Sequence, residues 1–240
     1  MSTPSDPQQK FFEQFADGSY YEATEKEPRV IKVREMLAKI PSGQRLLDVG
    51  CADGSIIAPQ AGRLQAYGVD FSQSFVDLAC AKGIRAVAGD LTATLPFESD
   101  FFDVVFSGET MEHLIDTDRY LSEINRVLKP GGTLLLTVPN VRSIASIAMM
   151  LVGYPPRFSA RYRSPHYRDF TLRTATLALQ ANGFKLEQAR GTSFWLPKLG
   201  EQLSGIADYF PGWTGQMVLR ASKQRHVPYD PDKTMDVALY

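Results

Sequence analysis

The stretch that most constrains the fold is Leu46-Leu47-Asp48-Val49-Gly50-Cys51-Ala52-Asp53-Gly54, an apolar strand that breaks into a glycine-bearing turn. Glycines lack a Cβ, so the backbone can turn sharply there and come close to a ligand. A helix is expected over residues 55–64 despite Pro59, with its N-terminus turned back on the loop as a seat for a small polar molecule. Two acids flank the glycines, Asp48 at the strand end and Asp53 inside the turn.

The rest of the chain repeats the alternation of apolar strand and amphipathic helix. Further strands are predicted at 65–69, 84–88, 101–106, 133–138, 184–189 and 216–221, and helices at 29–40, 75–82, 120–128, 141–152 and 172–181. Residues 129–132, Lys-Pro-Gly-Gly, read as a tight turn, and residues 195–213 as an amphipathic stretch interrupted by two prolines. Such alternation predicts an α/β fold with a doubly wound, mostly parallel sheet and right-handed crossovers. Residues 1–40 are expected to form an arm and helices covering the site. Residues 41–222 would make the main domain, with a lid over 141–170, and 223–240 a polar tail laid over the surface.

Composition matters here for what it excludes. A net charge of −1 gives no reason to expect nucleic acid or an anionic membrane as partner. No apolar run approaches the ~20 residues of a spanning helix, and the N-terminal ten residues lack the apolar core of a signal peptide. Two cysteines, Cys51 and Cys80, show no spacing for a metal site and read as reduced thiols. A cytoplasmic monomer or homodimer with a small-molecule substrate and no metal is the expectation.

Doubly wound sheets bind ligands beyond the carboxyl ends of their strands. Asp48, Asp70 and Asp90 end three successive predicted strands. A dinucleotide would need glycines spaced G-x-G-x-x-G, whereas this turn is G-x-x-x-G. Asp48 and Asp53 would also face its pyrophosphate with no cation nearby, and like charges at ~4 Å repel by about 4 kcal/mol at an effective dielectric near 20. S-adenosylmethionine fits better. It carries no phosphate, its ammonium and sulfonium suit acids near the turn, and its carboxylate can use backbone N–H groups. Asp70 would accept from the ribose hydroxyls and Asp90 from the adenine amine, with Phe71 and Leu91 covering the ring.

The segments LLDVGCADG, YGVDFS, AGDL, FDVVFSGETMEHL and EINRVLKPGGTLLLTVPN together resemble the class I S-adenosylmethionine-dependent methyltransferases, in the small-molecule branch called type 11. The resemblance covers residues 45–140 and, more loosely, the run from HYRDFT to the last strand. It implies a Rossmann-like sheet of seven strands, ordered 3-2-1-4-5-7-6 with the last antiparallel. It also implies cofactor contacts at Asp48, Gly50, Ala52, Gly54, Asp70, Phe71, Asp90, Leu91 and near Ser107; Cys51 and Ser72 lie in the same turns and join that set. Ala52 stands where many members have glycine. Tyr20 and Tyr21 lie in the arm with which relatives often close the site, and Tyr21 is included as a cofactor contact.

On the acceptor side, Glu112-His113 follows the fourth strand and resembles the Glu-His pair of many relatives. His113 can serve as a base for a substrate proton, or it can order its loop. Glu109 and Glu112 are candidate substrate contacts. The run from Arg157 to Arg168 holds four arginines and three aromatics around His166. Arg161, Arg163 and Arg168 suit an acidic substrate, with His166 a second catalytic candidate; a solvated surface loop fits equally well. Val141 to Val152 suits an apolar pocket wall, lipid contact, or core or dimer packing.

The leading expectation is methyl transfer to a hydroxyl of a sugar, polyketide-like or other secondary metabolite. Alternatives are transfer to nitrogen or carbon, and a silent cofactor-binding module. The Asn/Asp-Pro-Pro-aromatic element of amino-methylating DNA enzymes is missing, since Ser107-Gly108-Glu109-Thr110 stands in its place.

Overall fold

The computed structural model describes residues 26–157, 166–194 and 203–232. Its elements in chain order are α1 (Pro28–Ala38), β1 (Arg45–Val49), β2 (Gln65–Asp70), α2 (Gln73–Ala81), β3 (Arg85–Ala88), β4 (Phe102–Gly108), α3 (Thr117–Val127) and β5 (Leu128–Pro139). There follow α4 (Ile144–Leu151), α5 (Leu172–Ala181), β6 (Phe184–Gly191), α6 (Ser204–Ala207) and β7 (Gln216–Lys223). The strands form one sheet in the order β3-β2-β1-β4-β5-β7-β6, parallel except for β7, which runs antiparallel to both neighbours. This is the expected topology.

Both faces of the sheet are covered, so its central strands read as apolar runs rather than alternating ones. Leu47, Val49, Val105, Leu134, Leu136 and Leu219 pack towards α3 and α5 on one face. Leu46, Val104, Phe106, Leu135 and Val218 meet Val33 and Leu37 of α1 on the other. The period of two places Asp48 on the α1 face beside Leu46. Pro28 opens α1 where a missing N–H costs nothing. Lys32 anchors the helix by donating to the carbonyls of Gly191 and Ser204, both at 2.7 Å, and pairing with Asp208.

Two local expectations are corrected. Residues 55–64 form no α-helix, only turns and a three-residue 3-10 turn at Ala58–Gln60. Pro59 has no N–H and restricts the residue before it, so the α-helical ladder does not propagate. Lys129-Pro130-Gly131-Gly132 is not a separate turn but a bulge within β5. Phe102 pairs with Leu128 and Val104 with Thr133, and the residues between loop out around Gly131 at φ +74°. Of the stretch 195–213, residues 195–202 lie outside the described residues, and the rest is α6 plus a 3-10 turn at Pro211–Trp213.

The tail leaves β7 and runs over the surface. Gln224 donates from its backbone to Gly183, Ser122 and Asn125 hold the carbonyls of Val227 and Arg225, and the Tyr229 hydroxyl donates to Asp116. No helix among the described residues is long and apolar enough to cross a membrane.

Candidate active site

The glycine turn leaves β1 and folds against β2, with the N–H groups of Gly50 and Cys51 both donating to the Val69 carbonyl at 2.8 and 3.1 Å. Gly50 and Gly54 have φ of +79° and +74°. A Cβ at Gly50 would stand 2.5 Å from Thr110 Oγ1, and one at Gly54 would strike Ile84. Both positions therefore require glycine for conformation and for space. Ala52 also takes a left-handed conformation, φ +45°, which costs an L-residue roughly 1–2 kcal/mol. Many relatives' glycine at this position would be free of that strain.

The strand-end acids divide into three kinds. Asp70 is buried and cradled, its Oδ2 accepting from the Ala52 N–H at 2.9 Å and its Oδ1 from the Ser72 N–H at 3.0 Å. Burial raises its pKa, and those N–H groups pull it back. Asp48 is buried too, and its pKa is pushed well up by burial and by the charges of Asp70 and Asp53, with Arg29 acting against them. Asp90 is exposed and caps its own turn, Oδ1 accepting from the N–H and hydroxyl of Thr92.

Asp53, by contrast, has a cation. Lys82 from the end of α2 pairs with it, and Ser55 donates to it from its N–H and hydroxyl. The sequence argument that no cation stands near this turn is thus corrected. The residue after Gly54 also starts no helix, so the expected helix N-terminus is not formed, and the N–H groups of Gly50, Cys51, Ala52, Gly54 and Ser55 are bonded within the fold itself.

Beyond β4 the chain enters a 3-10 turn at Met111–His113 that forms the second wall. Thr110 touches the glycine turn, its Oγ1 lying 3.4 Å from the Val49 carbonyl. Glu109 has a left-handed backbone, φ +53°; its Oε2 accepts from Gln216 at 2.8 Å and its buried Oε1 has no hydrogen-bond partner. Glu112 is 1% exposed, and neither of its carboxylate oxygens meets a hydrogen-bond partner. Burial and the nearby Glu109 charge hold its carboxyl well above the usual range.

His113 Nε2 stands 4.0 Å from Glu112 Oε1. The His113 and His166 rings meet edge to face with centroids 4.7 Å apart. Residues 166–168 are held there because the N–H groups of Tyr167 and Arg168 both donate to the Glu112 carbonyl, at 2.8 and 3.1 Å. One ligand atom from each of Glu112, His113 and His166 lies within 4.8 Å of the other two. Two candidates far apart in sequence thus form one cluster.

The other expected residues fall as follows. Phe71 is half-buried and Leu91 buried beside the ends of β2 and β3. Ser72 is buried and shares a hydrogen bond with Ser74. Ser107 is wholly buried, its hydroxyl 2.8 Å from that of Tyr120. Cys51 is buried, and burial pushes its thiol far up, so the thiolate is not formed near neutrality. Arg168 is exposed and latches its loop by donating to the Ile115 carbonyl at 2.8 and 3.1 Å. Tyr20, Tyr21, Arg161 and Arg163 lie outside the described residues.

Arg29 was missed by the sequence reading. It is 8% exposed on α1, and although burial opposes its charge, Glu109, Glu27 and Glu112 hold its pKa above the ordinary guanidinium value. The signal was present: Arg29 falls four residues before Val33 and seven before Met36, on the face α1 buries. Asp48, Asp53, Asp70, Glu109 and Glu112 thus share this end of the sheet with the cations Arg29 and Lys82.

A seven-stranded 3-2-1-4-5-7-6 sheet with a glycine turn after β1 and an acid ending β2 defines the class I methyltransferase architecture. The acids gathered at its strand ends suit a ligand that brings positive charge and no phosphate, as S-adenosylmethionine does. Comparison with known proteins agrees. A family model for the methyltransferase domain matches residues 47–136. A protein of Mycolicibacterium smegmatis named as a probable S-adenosylmethionine-dependent methyltransferase is 28% identical over 213 residues, 86% of this chain and 75% of that one. A ubiquinone biosynthesis O-methyltransferase of Brucella anthropi is 30% identical over 161 residues, 63% of this chain and 64% of its own length, so this match spans less than two thirds of that relative. In fold, the methyltransferase solved with the Haloferax volcanii Trm112 methyltransferase activator superposes with a TM-score of 0.70, covering 93% of this chain and 100% of that one at 18% identity. On these matches the chain is an S-adenosylmethionine-dependent methyltransferase, its methyltransferase domain matched over residues 47–136.

Proposed function

We propose that the chain methylates an oxygen of a small-molecule acceptor, a sugar, polyketide-like or other secondary metabolite, acidic ones included. The observation that carries this reading is the cluster of Glu112, His113 and His166 beside the glycine turn, where two imidazoles and a buried carboxyl converge. Such groups handle the proton that a hydroxyl must lose. The Brucella relative's name, an O-methyltransferase, supports the same choice.

Bound S-adenosylmethionine supplies a methyl carbon made electrophilic by its sulfonium. The protein's part is to hold donor and acceptor in line and to keep water out. On this reading Asp70 takes the ribose hydroxyls, and Asp48 and Glu109 with Arg29 tune the charge around the methionyl end. Asp90, open to solvent, stands where the adenine amine would lie.

Calorimetry with S-adenosylmethionine and its demethylated product tests the cofactor half: both should bind once per chain, and no binding by either would overturn the reading. For the acceptor half, His113→Ala should lower turnover at least tenfold with cofactor affinity unchanged. Turnover within a few-fold of wild type would remove the cluster from the chemistry.

A further inference from the structure

The unexplained group on the acceptor side is the Glu112 carboxyl. It sits at the end of β4 with 1% exposure, and neither oxygen has a hydrogen-bond partner. Leaving an acid so placed is costly unless something positive comes to it. His113 and His166 each bring an imidazole nitrogen to the same point, with all three ligand atoms within 4.8 Å of one another. The arrangement is not an accident of a loose loop. Two main-chain hydrogen bonds from Tyr167 and Arg168 to the Glu112 carbonyl fix His166 against the Met111–His113 turn. Next to it Glu109, also with an unpartnered buried oxygen, is held in a left-handed backbone conformation, and strain of that kind persists where a site requires it.

From this geometry we infer that Glu112, His113 and His166 form a binding site for one divalent transition-metal cation, facing the methyl acceptor. Metal bonds of about 2.0–2.2 Å set ligand atoms roughly 3–4 Å apart, close to the spacing of these three, which lie within 4.8 Å of one another. Two imidazoles and a carboxylate favour zinc, iron, cobalt or manganese over magnesium or calcium. Glu109 supplies a second negative charge nearby. Three protein ligands leave positions open, and an acceptor with two adjacent oxygens, such as a vicinal diol or a hydroxy acid, fills them.

The inference rests on the methyltransferase reading only for the ion's role. Bound to the cation, the acceptor hydroxyl becomes more acidic and releases its proton to solvent. Its oxygen then forms the new O–C bond to the methyl as the C–S bond breaks, and the sulfur keeps that electron pair and becomes a neutral thioether. No redox change is involved.

The test is a titration of metal-stripped full-length protein with Mn2+, followed by calorimetry and by the electron paramagnetic resonance of free Mn2+. One equivalent should bind saturably. Glu112→Gln, which keeps size while removing charge, and His166→Ala should each weaken binding at least tenfold. Co2+ added to wild type should give visible d–d bands that His166→Ala shifts, a signature a merely structural role would not produce. Asp70→Ala should bind Mn2+ as wild type does while losing cofactor affinity, which separates the two sites. Absence of saturable binding, or equal affinity in Glu112→Gln, overturns the inference; cofactor binding that persists without metal leaves the methyltransferase reading standing.

Discussion

The two ends of the sheet treat carboxylates in opposite ways. At the carboxyl ends of the strands, Asp48, Asp70 and Glu112 are buried and Glu109 is half-buried, and their pKa values are raised, chiefly by desolvation. At the amino ends, Asp103 accepts from the Arg45 N–H at 2.9 Å and pairs with Lys129, and against a burial penalty those partners hold its carboxyl below the usual range. Glu123 is lowered likewise by Arg126 and the Leu95 N–H. Phe97, Phe101 and Phe102 pack edge to face with Tyr67 beside them, at centroid distances of 5.0–6.4 Å. One end is arranged for stability. The other gathers more carboxyls than cations among the described residues, an arrangement that suits a cationic cofactor.

Removing one acid from each end gives the sharpest contrast. Asp70→Ala should weaken S-adenosylmethionine at least tenfold with only a small change in melting temperature, because relief of a buried charge offsets the loss of the hydrogen bonds from the Ala52 and Ser72 N–H groups. Asp103→Ala should do the reverse. It breaks a hydrogen bond and a partly exposed ion pair, costing about 1–2 kcal/mol of stability, with cofactor affinity unchanged. Calorimetry and thermal melts on both variants decide it, and a shared phenotype would erase the distinction.

How much of this was legible in the chain follows from range. Apolar strands and the two glycines are local signals, so the order of elements and the turn could be read directly. Three successive strand-end acids are legible, but not their division into cradled Asp70, buried Asp48 and exposed Asp90, because burial is set by what packs above. Lys82 reaches Asp53 across 29 residues and Arg29 reaches Glu109 across 80 (109 − 29), and no periodicity announces such pairs. His113 and His166 were each singled out, yet for separate reasons; their meeting depends on a loop hung from one carbonyl. Pro59 was seen and underweighted against the expectation of a helix.

Acidification separates the ends by window. A carboxyl raised in the fold is penalised when ionised, so the site end gains stability as pH falls through its raised values towards the ordinary range near about 4. Carboxyls lowered at the other end, Asp103 and Glu123, stabilise above that range and lose their contribution as pH falls through their depressed values. Thermal stability without cofactor should therefore peak on the acid side of neutral and fall below about pH 4. Cofactor affinity should decline over the rising limb, since protonated acids no longer attract a cation. Melts and calorimetry at matched pH values check both; stability and affinity falling together from pH 7 downward would contradict the assignment.

The smallest effect is expected at an ion pair that departs from this pattern. Lys82, about a third exposed, neutralises Asp53 at the site end. In Lys82→Ala, Asp53 keeps the Ser55 N–H and hydroxyl, so stability should drop by no more than about 1 kcal/mol. The pocket becomes more negative, and S-adenosylmethionine should bind equally well or up to about threefold tighter, the size of a partly screened charge interaction. A tenfold loss would mean something else: that Lys82 turns from Asp53 to the cofactor's own carboxylate when the ligand arrives. The site end would then hold a binding cation as well as binding acids, and its negative excess would be narrower than the unbound structure shows.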